Sequence, residues 1–230
     1  MSARKRPIVA IDGPAGAGKS SVARRVADRL GFVLVDTGAL YRSVALATRR
    51  AGLDYKDARR VSALSESLVR ASALKFVRDA RGVRTILSEE DVSEAIRTPD
   101  IGMGASTVSA HPGVRMALLD IQRQAGQDGG VVLEGRDIGT VVFPDAEVKI
   151  FLTARPEVRA KRRYEELVQK GNTPVTFEDT LAEVLTRDAQ DEGRAVAPLK
   201  QAEGATLIDS SDLTIDEAVE AIAALVEKRA

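Results

Sequence analysis

Cysteine is absent from the 230-residue chain, and histidine occurs once, at His111. Without thiols, disulfide bonds, thiolate catalysis and cysteine-based zinc sites are excluded. A Ser-His-Asp hydrolase would have to use His111, and no G-x-S-x-G elbow accompanies it in the sequence. Tryptophan is also absent and aromatic residues make up 3% of the chain, so the core has to be built from valine, isoleucine, leucine and alanine.

An excess of charge of one sign is also missing, because Lys+Arg and Asp+Glu both total 34. A balanced chain has no general field that would attract nucleic acid or an anionic membrane, so we expect neither as a partner. The apolar runs are short, and none approaches the roughly 18 residues of a membrane span. Because the apolar run near the N-terminus is also too short for the core of a signal peptide, we expect a cytoplasmic protein. The sequence shows no long exposed apolar stripe, so we expect a monomer.

Short β-branched runs alternate along the chain with longer stretches in which apolar residues lie three or four apart. Because these runs are apolar throughout, they predict a parallel sheet that is covered by helices on both faces. The sequence therefore predicts one α/β domain over residues 1–230. Its predicted strands are residues 7–12, 32–36, 130–135, 148–152 and 205–209.

Two segments break this alternation. Residues 73–96 predict a strand, a turn at Ala80 to Gly82, a second strand and a third short element, which together indicate a small antiparallel insertion. Residues 155–171 predict a charged helix that ends at Gly171. The next helix is predicted to start at Thr176, whose hydroxyl can cap it while Asp179 reaches back from three residues later.

The first strand is followed by GPAGAGKS, residues 13–20, which matches G-x-x-x-x-G-K-[ST] between a strand and a helix. Glycines let the backbone wrap around phosphate oxygens, and the helix that follows adds the positive end of its dipole. The motif predicts a P-loop NTPase-type sheet, with Lys19 reaching the β- and γ-phosphates of ATP and Ser20 as a ligand of Mg²⁺. The predicted ATP-binding residues are Gly13, Pro14, Ala15, Gly16, Ala17, Gly18, Lys19, Ser20 and Ser21.

A phosphate-binding loop occurs in several classes of P-loop protein, so other features of the sequence are needed to distinguish these classes. A GTPase reads guanine with an N-K-x-D loop, but the only asparagine, Asn172, is followed by Thr-Pro. A transport or remodelling ATPase would usually be longer, and no sensor or signature helix is evident. These observations favour a small kinase that passes the γ-phosphoryl group to a bound acceptor.

Polar residues follow the second and third strands of the predicted sheet. Ligands of parallel sheets bind outside the carboxyl ends of strands, so the first group should lie beside the P-loop. It comprises Asp36, Thr37, Tyr41 and Arg42. The second group contains Arg136 and Asp137, a forked donor beside an acceptor, which suits a pyrimidine nucleotide. The alternatives are a half-buried wall role for Tyr41, a solvent-facing Arg42, and an internal ion pair of Arg136 with Asp137.

Two helices carry regularly spaced arginines. Arg187, Asp191 and Arg194 have i, i+4, i+7 spacing, which predicts one helical stripe. Arg155, Arg159 and Arg162 repeat the spacing on the preceding helix, with Arg163 alongside. Arginines on a closing lid would stabilise the charge of phosphoryl transfer and exclude water. Ion pairing with Glu165, Glu166 or Asp188 is the alternative.

The motifs IDGPAGAGKSSVA, DTGALYR, EGRDIGTVVFPDA, KIFLTA and RDAQDEGRAVAPL together resemble those of bacterial cytidylate kinases, from about residue 7 to the C-terminal helix. The resemblance implies transfer of phosphate from MgATP to CMP or dCMP, giving ADP and CDP or dCDP, with UMP a poorer acceptor. It also implies a lid at about residues 155–175 and an acceptor-binding insertion at about 62–100.

The resemblance assigns the cytosine to Ser106, Arg115 and Asp137, the sugar to Tyr41, Arg187 and Asp191, and the phosphates to Arg42, Arg136 and Arg194. Asp36 and Thr37 complete the predicted acceptor site, and the predicted catalytic residues are Lys19, Arg136, Arg159, Arg162 and Arg187. The chain departs from the family pattern at Glu134, where relatives often have aspartate, and at Gln190 and Glu192, where others have arginines.

Two other functions remain open at this point. The chain could be a P-loop kinase for another small acceptor, such as UMP or a deoxynucleoside. It could also be a nucleotide-gated binding module whose slow hydrolysis switches a partner. A second phosphate site lined by arginines favours a kinase over a switch.

Overall fold

The computed structural model describes residues 4–80, 82–169, 171 and 174–228. The strands are β1 (Ile8–Asp12), β2 (Val33–Asp36), β3 (Leu74–Asp79), β4 (Gly82–Leu87), β5 (Glu90–Asp91), β6 (Val131–Gly135), β7 (Val148–Thr153) and β8 (Thr206–Asp209). The helices are α1 (Lys19–Leu30), α2 (Gly38–Arg50), α3 (Ala58–Arg70), α4 (Pro99–Val108), α5 (Pro112–Gly126), α6 (Pro156–Gln169), α7 (Phe177–Glu192) and α8 (Ile215–Glu227).

The five predicted strands form one parallel sheet in the order β2-β6-β1-β7-β8. Strand β1 lies in the middle, with Asp12 opposite Gly135 of β6 and Phe151 of β7. The predicted α/β fold with a parallel sheet is therefore confirmed.

Helices cover the two faces of this sheet, as the apolar strands require. Val9 and Ile11 of β1 pack against α1 and α8 on one face. Ile8 and Ala10 point to the other face, where they meet α5 and a π-helical turn at Ile138–Val142. Because alternate residues of β1 pack into two different cores, the whole strand is buried and fixes the P-loop at its end.

The predicted insertion is a three-stranded antiparallel sheet in the order β3-β4-β5. Strand β3 ends at Asp79, which pairs with Gly82; the predicted turn between them includes residue 81, which lies outside the described residues. The insertion packs with helices α2 to α5 around a third core, which includes Leu40, Val44, Val61, Leu74, Ile101 and Leu118.

The ends of the two arginine-bearing helices differ from the prediction. Helix α6 begins at Pro156, a residue type that favours the first helical position, so Arg155 lies before the helix. Helix α7 ends at Glu192, with Gly193 as its C-cap, so Arg194 lies beyond it. Neither predicted stripe of three residues on one helix is therefore correct, because Arg155 lies outside α6 and Arg194 lies outside α7.

The predicted boundary between α6 and α7 agrees with the structure. Gly171 has a positive φ of 73°, as expected just after a helix. Residues 170, 172 and 173 of the predicted lid lie outside the described residues. Thr176 caps α7, since its Oγ1 accepts a hydrogen bond of 3.0 Å from the N–H of Asp179.

In the described parts of the chain, no helix combines the length and apolar character needed to cross a membrane.

The close packing of Gly13 against β7 gives a test of the P-loop's position. Gly13 has φ +149°, and a Cβ added there would lie 1.9 Å from the carbonyl oxygen of Leu152. We expect Gly13→Ala to lower the free energy of unfolding by about 3 kcal/mol or more, because both the backbone and β7 would have to shift. Urea unfolding measures this change.

Gly52 supplies the matched control. It also has a positive φ, of 63°, but nothing lies within 4 Å of an added Cβ. Gly52→Ala should therefore cost only the conformational strain, about 1 kcal/mol. Equal losses in the two variants would show that the contact with Leu152 is unimportant.

Candidate active site

The glycine-rich loop connects β1 to α1 and carries the predicted anion cradle. Gly13, Gly16 and Gly18 all have positive φ, which lets the loop curl back over the end of the sheet. Helix α1 starts at Lys19, so its first backbone N–H groups lie at the loop. Ser20 and Ser21 are exposed on the first turn of this helix. The loop and helix terminus together suit a phosphate chain.

Lys19 is buried, and its Nζ donates a hydrogen bond of 2.6 Å to the carbonyl oxygen of Pro14. Burial lowers the pKa of this ammonium well below its ordinary value, and Arg136 nearby lowers it further. The carboxylates of Glu134, Asp191 and Asp12 oppose that change. An anion bound beside Lys19 would favour its charged form.

Ser20 and Glu134 form the pair best suited to a cation. The Ser20 hydroxyl donates a hydrogen bond of 2.8 Å to Oε2 of Glu134, a buried residue near the end of β6. Burial, together with the nearby Asp36, raises the pKa of Glu134 to about 7. Among the described residues no group of three or more His, Cys, Asp or Glu could hold a metal. A hydroxyl and one carboxylate nevertheless fit Mg²⁺, which commonly takes its other ligands from phosphates and water.

Asp12 connects the P-loop strand to the loop after β6. Its two carboxylate oxygens accept hydrogen bonds from the N–H groups of Ile138 (2.8 Å) and Gly139 (2.7 Å). Burial raises the pKa of Asp12 to about 6, although both hydrogen bonds lower it. These contacts fix the backbone directly after Asp137 against the end of β1.

The predicted base-binding residues Arg115 and Asp137 form a buried ion pair. Arg115 also donates a hydrogen bond of 3.2 Å to the carbonyl oxygen of Ser109, and its guanidinium lies 5.3 Å from the centre of the Tyr41 ring. Tyr41 is itself buried, in agreement with the alternative of a wall residue. Ser106, the third predicted base-binding residue, donates a hydrogen bond of 2.9 Å to Oε1 of Gln190 on α7.

Asp191 is a buried carboxylate between two arginines. It accepts a 2.8 Å hydrogen bond from Nε of Arg136 and a second hydrogen bond from Arg194. Burial opposes the ionisation of Asp191, but Arg136 and Arg194 outweigh it and hold its pKa below the ordinary value. The internal ion pair of Arg136 with Asp137, considered above as an alternative, is not formed: Arg136 pairs with Asp191 of α7, and Asp137 pairs with Arg115 of α5.

Several arginines at this site keep a buried N–H group that has no acceptor within the described part of the chain. The Nε atoms concerned belong to Arg42, Arg163, Arg187 and Arg194. Burial lowers the pKa of both Arg187 and Arg194, and the positive charge of Arg136 adds to the effect. Buried donors and crowded positive charge are both relieved by anionic oxygen atoms.

The end of β2 carries the remaining predicted acceptor residues. Arg42 donates a hydrogen bond of 2.6 Å to Asp36, so it is paired within the protein rather than facing solvent alone. The Thr37 hydroxyl donates one of 2.8 Å to the carbonyl oxygen of Glu134, which joins β2 to β6. These residues thus lie beside Ser20 and Glu134, as expected from the carboxyl ends of neighbouring strands.

The arginines of α6 differ in their partners. Arg159 is buried and pairs through two hydrogen bonds with Asp188 of α7 (2.9 and 2.6 Å), which is the ion pairing considered as an alternative. It also donates to the carbonyl oxygen of Ala15 in the P-loop, at 3.1 Å. Arg162 instead donates to the carbonyl oxygen (2.6 Å) and hydroxyl (3.1 Å) of Ser210.

Two residues that the sequence did not assign to the site lie next to residues that it did assign. Arg163 is near enough to Arg187 to lower its pKa, although the sequence pattern marked it only as a neighbour of the stripe. Gln190 contacts Ser106, although the sequence marked it only as a departure from the family pattern. Its partner on α4 is 84 residues away in the chain, so no local pattern reveals the contact.

Comparison with known proteins agrees with this geometry. A family model described as cytidylate kinase matches residues 9–228. A cytidylate kinase of Geobacter sp. (strain M21) is 54% identical over 96% of this chain and 93% of that protein. Those of Citrifermentans bemidjiense and Solibacter usitatus are 53% and 49% identical, over 96% and 98% of this chain and 93% and 94% of theirs. The chain therefore belongs to the cytidylate kinase family.

Proposed function

We propose that this protein transfers the γ-phosphoryl group of MgATP to CMP or dCMP, giving ADP and CDP or dCDP. The observation that carries the proposal is the arginine cluster around Asp191, which lies near the P-loop lysine: Arg136 contacts Asp191 and also lowers the pKa of Lys19. One nucleotide bound by the loop and another bound by the arginines would meet between these groups.

On the donor side, residues Gly13 to Ser21 hold ATP, with Lys19 beside its β- and γ-phosphates. Ser20 holds Mg²⁺, and Glu134 accepts hydrogen bonds near it. A magnesium ion held there would supply positive charge against the phosphate oxygens of ATP. The pair of Ser20 and Glu134, with a distance of 2.8 Å between Oγ and Oε2, supports this assignment.

On the acceptor side, three groups of residues bind three parts of CMP. Arg42, Arg136 and Arg194 bind the phosphate; Tyr41, Arg187 and Asp191 face the sugar; and Ser106, Arg115 and Asp137 bind the cytosine. Asp36 holds Arg42, and Thr37 fixes the backbone at Glu134. The carboxylate of Asp137 accepts from the exocyclic amine of cytosine while Arg115 donates, a pattern that uracil cannot match at its O4 carbonyl.

Positioning and charge stabilisation supply the catalysis. An oxygen of the CMP phosphate forms a bond to the γ-phosphorus as the bond from that phosphorus to the bridging oxygen of ADP breaks. A phosphate dianion is already nucleophilic, so no general base is required. Lys19, Arg136 and Arg187, with Arg159 and Arg162 from the proposed lid at about residues 155–175, stabilise the charge on the transferred group.

An acceptor panel tests the proposal. ADP release is measured with MgATP and, in turn, CMP, dCMP, UMP, AMP and deoxycytidine. We expect rapid turnover with CMP and dCMP and a lower kcat/KM with UMP. Preference for UMP or deoxycytidine would favour a kinase for another acceptor. ATP hydrolysis that no acceptor stimulates would contradict the kinase proposal.

The role of Lys19 gives a second prediction. We expect Lys19→Ala to lower kcat by about 100-fold or more, because the charge on the transferring phosphates loses its nearest ammonium. The Kd of CMP, measured by calorimetry, should change by less than about threefold, because the assigned CMP contacts do not include Lys19. Lys228→Ala, after the last helix, is the control. Retention of more than about a tenth of the wild-type rate would contradict the assignment.

The role of Asp137 gives a further prediction. We expect Asp137→Asn to raise the KM for CMP by about tenfold or more and to leave the KM for ATP within about twofold, because the acceptor for the cytosine amine is weakened. Asparagine keeps the size of the side chain, and Asp120→Asn, at an exposed position of α5, is the control. Equal rises for both substrates would assign Asp137 a structural role.

A further inference from the structure

The hydrogen bond between Ser106 and Gln190 joins the two helices on either side of the proposed acceptor site. Ser106 lies on α4 and Gln190 on α7, and Oγ of Ser106 donates to Oε1 of Gln190 at 2.9 Å. We propose that in this chain, which departs from the arginine of other family members at this position, Gln190 sets the direction of the Ser106 hydroxyl and thereby adds to the specificity for cytosine that Arg115 and Asp137 provide. The inference rests on the proposed function.

Ser106 belongs to the same wall as the two other proposed base-binding residues. The hydroxyl of Ser109 donates a 2.9 Å hydrogen bond to the carbonyl oxygen of Ser106, and the carbonyl oxygen of Ser109 accepts one of 3.2 Å from Arg115. Arg115 in turn pairs with Asp137. Two short steps therefore connect the Ser106 backbone to the ion pair that faces the base.

Gln190 lies next to the arginine cluster of the proposed acceptor site, so its contact with Ser106 is made within that site. Gln190 directly precedes Asp191, the carboxylate that holds Arg136 and Arg194. The helix that carries the arginine cluster thus also carries the partner of Ser106. A side chain at this position can act on the base through Ser106 without touching the nucleotide itself.

The physical argument depends on the single proton of a hydroxyl group. A serine hydroxyl has one donor and two acceptor lone pairs. When its proton is donated to the carbonyl oxygen of Gln190, Ser106 can only accept hydrogen bonds from a ligand. The exocyclic amine of cytosine is a donor, whereas the corresponding O4 of uracil is an acceptor. An acceptor-only Ser106 therefore stabilises cytosine and leaves two oxygen atoms facing each other when uracil is bound.

Three substitutions of Gln190 separate its possible actions. Gln190→Glu keeps an oxygen that accepts from Ser106, Gln190→Lys presents only donors, and Gln190→Met presents neither. The measured quantity is the ratio of kcat/KM for CMP to kcat/KM for UMP, in which effects common to both nucleotides cancel. We expect the glutamate variant to stay within about twofold of wild type and the lysine and methionine variants to lose about fivefold, because the Ser106 proton can then turn toward O4 of uracil.

Thr186 supplies a matched control for charge. It lies one turn before Gln190 on α7, is exposed, and its hydroxyl donates to the carbonyl oxygen of Ala182 in its own helix. Thr186→Glu and Thr186→Lys place the same charges near the site but away from Ser106. We expect both to leave the ratio within about twofold of wild type.

A double-mutant cycle tests whether Gln190 acts through Ser106. In a Ser106→Ala background the Gln190 substitutions should no longer change the ratio, because the hydroxyl is gone. A lysine effect that persists in this background would overturn the inference. So would the opposite order, in which lysine preserves the ratio and glutamate lowers it, since that result would mean that the amide of Gln190 donates to Ser106.

Binding measurements keep this inference separate from the proposed function. The ratio of Kd values for CMP and UMP, measured by calorimetry, requires no turnover. A wild-type protein that binds CMP more tightly than UMP but transfers no phosphate would contradict the kinase proposal. The Gln190 variants would then still test the inference, through their effect on the ratio of Kd values. A wild-type kinase whose ratios are unaffected by all three substitutions would contradict the inference alone.

Discussion

The carboxylate of Asp191 holds together groups that would otherwise repel one another. Arg136 and Arg194 both bond to it, and Arg187 lies on the same helix one turn earlier. Buried cations without a counter-charge are costly, and removing one partner of such a cluster leaves the others uncompensated. Asp191 therefore lets the protein keep several guanidinium groups close together in the absence of a bound anion. Burial, together with the neighbouring guanidinium groups, still lowers the pKa values of Arg187 and Arg194, so the negative charge of Asp191 compensates only part of this cost.

The same arrangement recurs elsewhere in the candidate site with different partners. Arg115 is paired with Asp137, Arg42 with Asp36, and Arg159 with Asp188. Each pair fixes the direction of a planar donor and reduces the cost of burying its charge. The buried Nε–H groups of Arg42, Arg187 and Arg194 have no acceptor within the described part of the chain. These donors are therefore held in fixed directions by the protein itself, which is the condition that electrostatic catalysis at the proposed site would require.

The sequence predicted the elements of this structure better than their connections. The five strands, the P-loop and the antiparallel insertion follow from local patterns, because β-branched runs and glycine spacing report on the backbone directly. The stripes of arginines were wrong at Arg155 and Arg194, since Pro156 and Gly193 set the helix limits and periodicity alone cannot show where a helix ends. Partners such as Asp191 for Arg136 are 55 residues apart and depend on the packing of α7 on the sheet.

Arg159 restricts how the arginine-bearing helix α6 can move. It is buried against the P-loop, where a Cβ on Gly16 would lie 3.1 Å from its own Cβ, and it is bonded to Ala15. Arg155 and Arg162 are bonded to the segment that follows β8, through Asp212 and Ser210. Arg155, just before α6, and Arg159 and Arg162, in its first two turns, are thus bonded to the loops that follow β1 and β8. A lid of the kind proposed above for residues 155–175 would therefore need its hinge after Arg162, with the three bonded arginines on the fixed side.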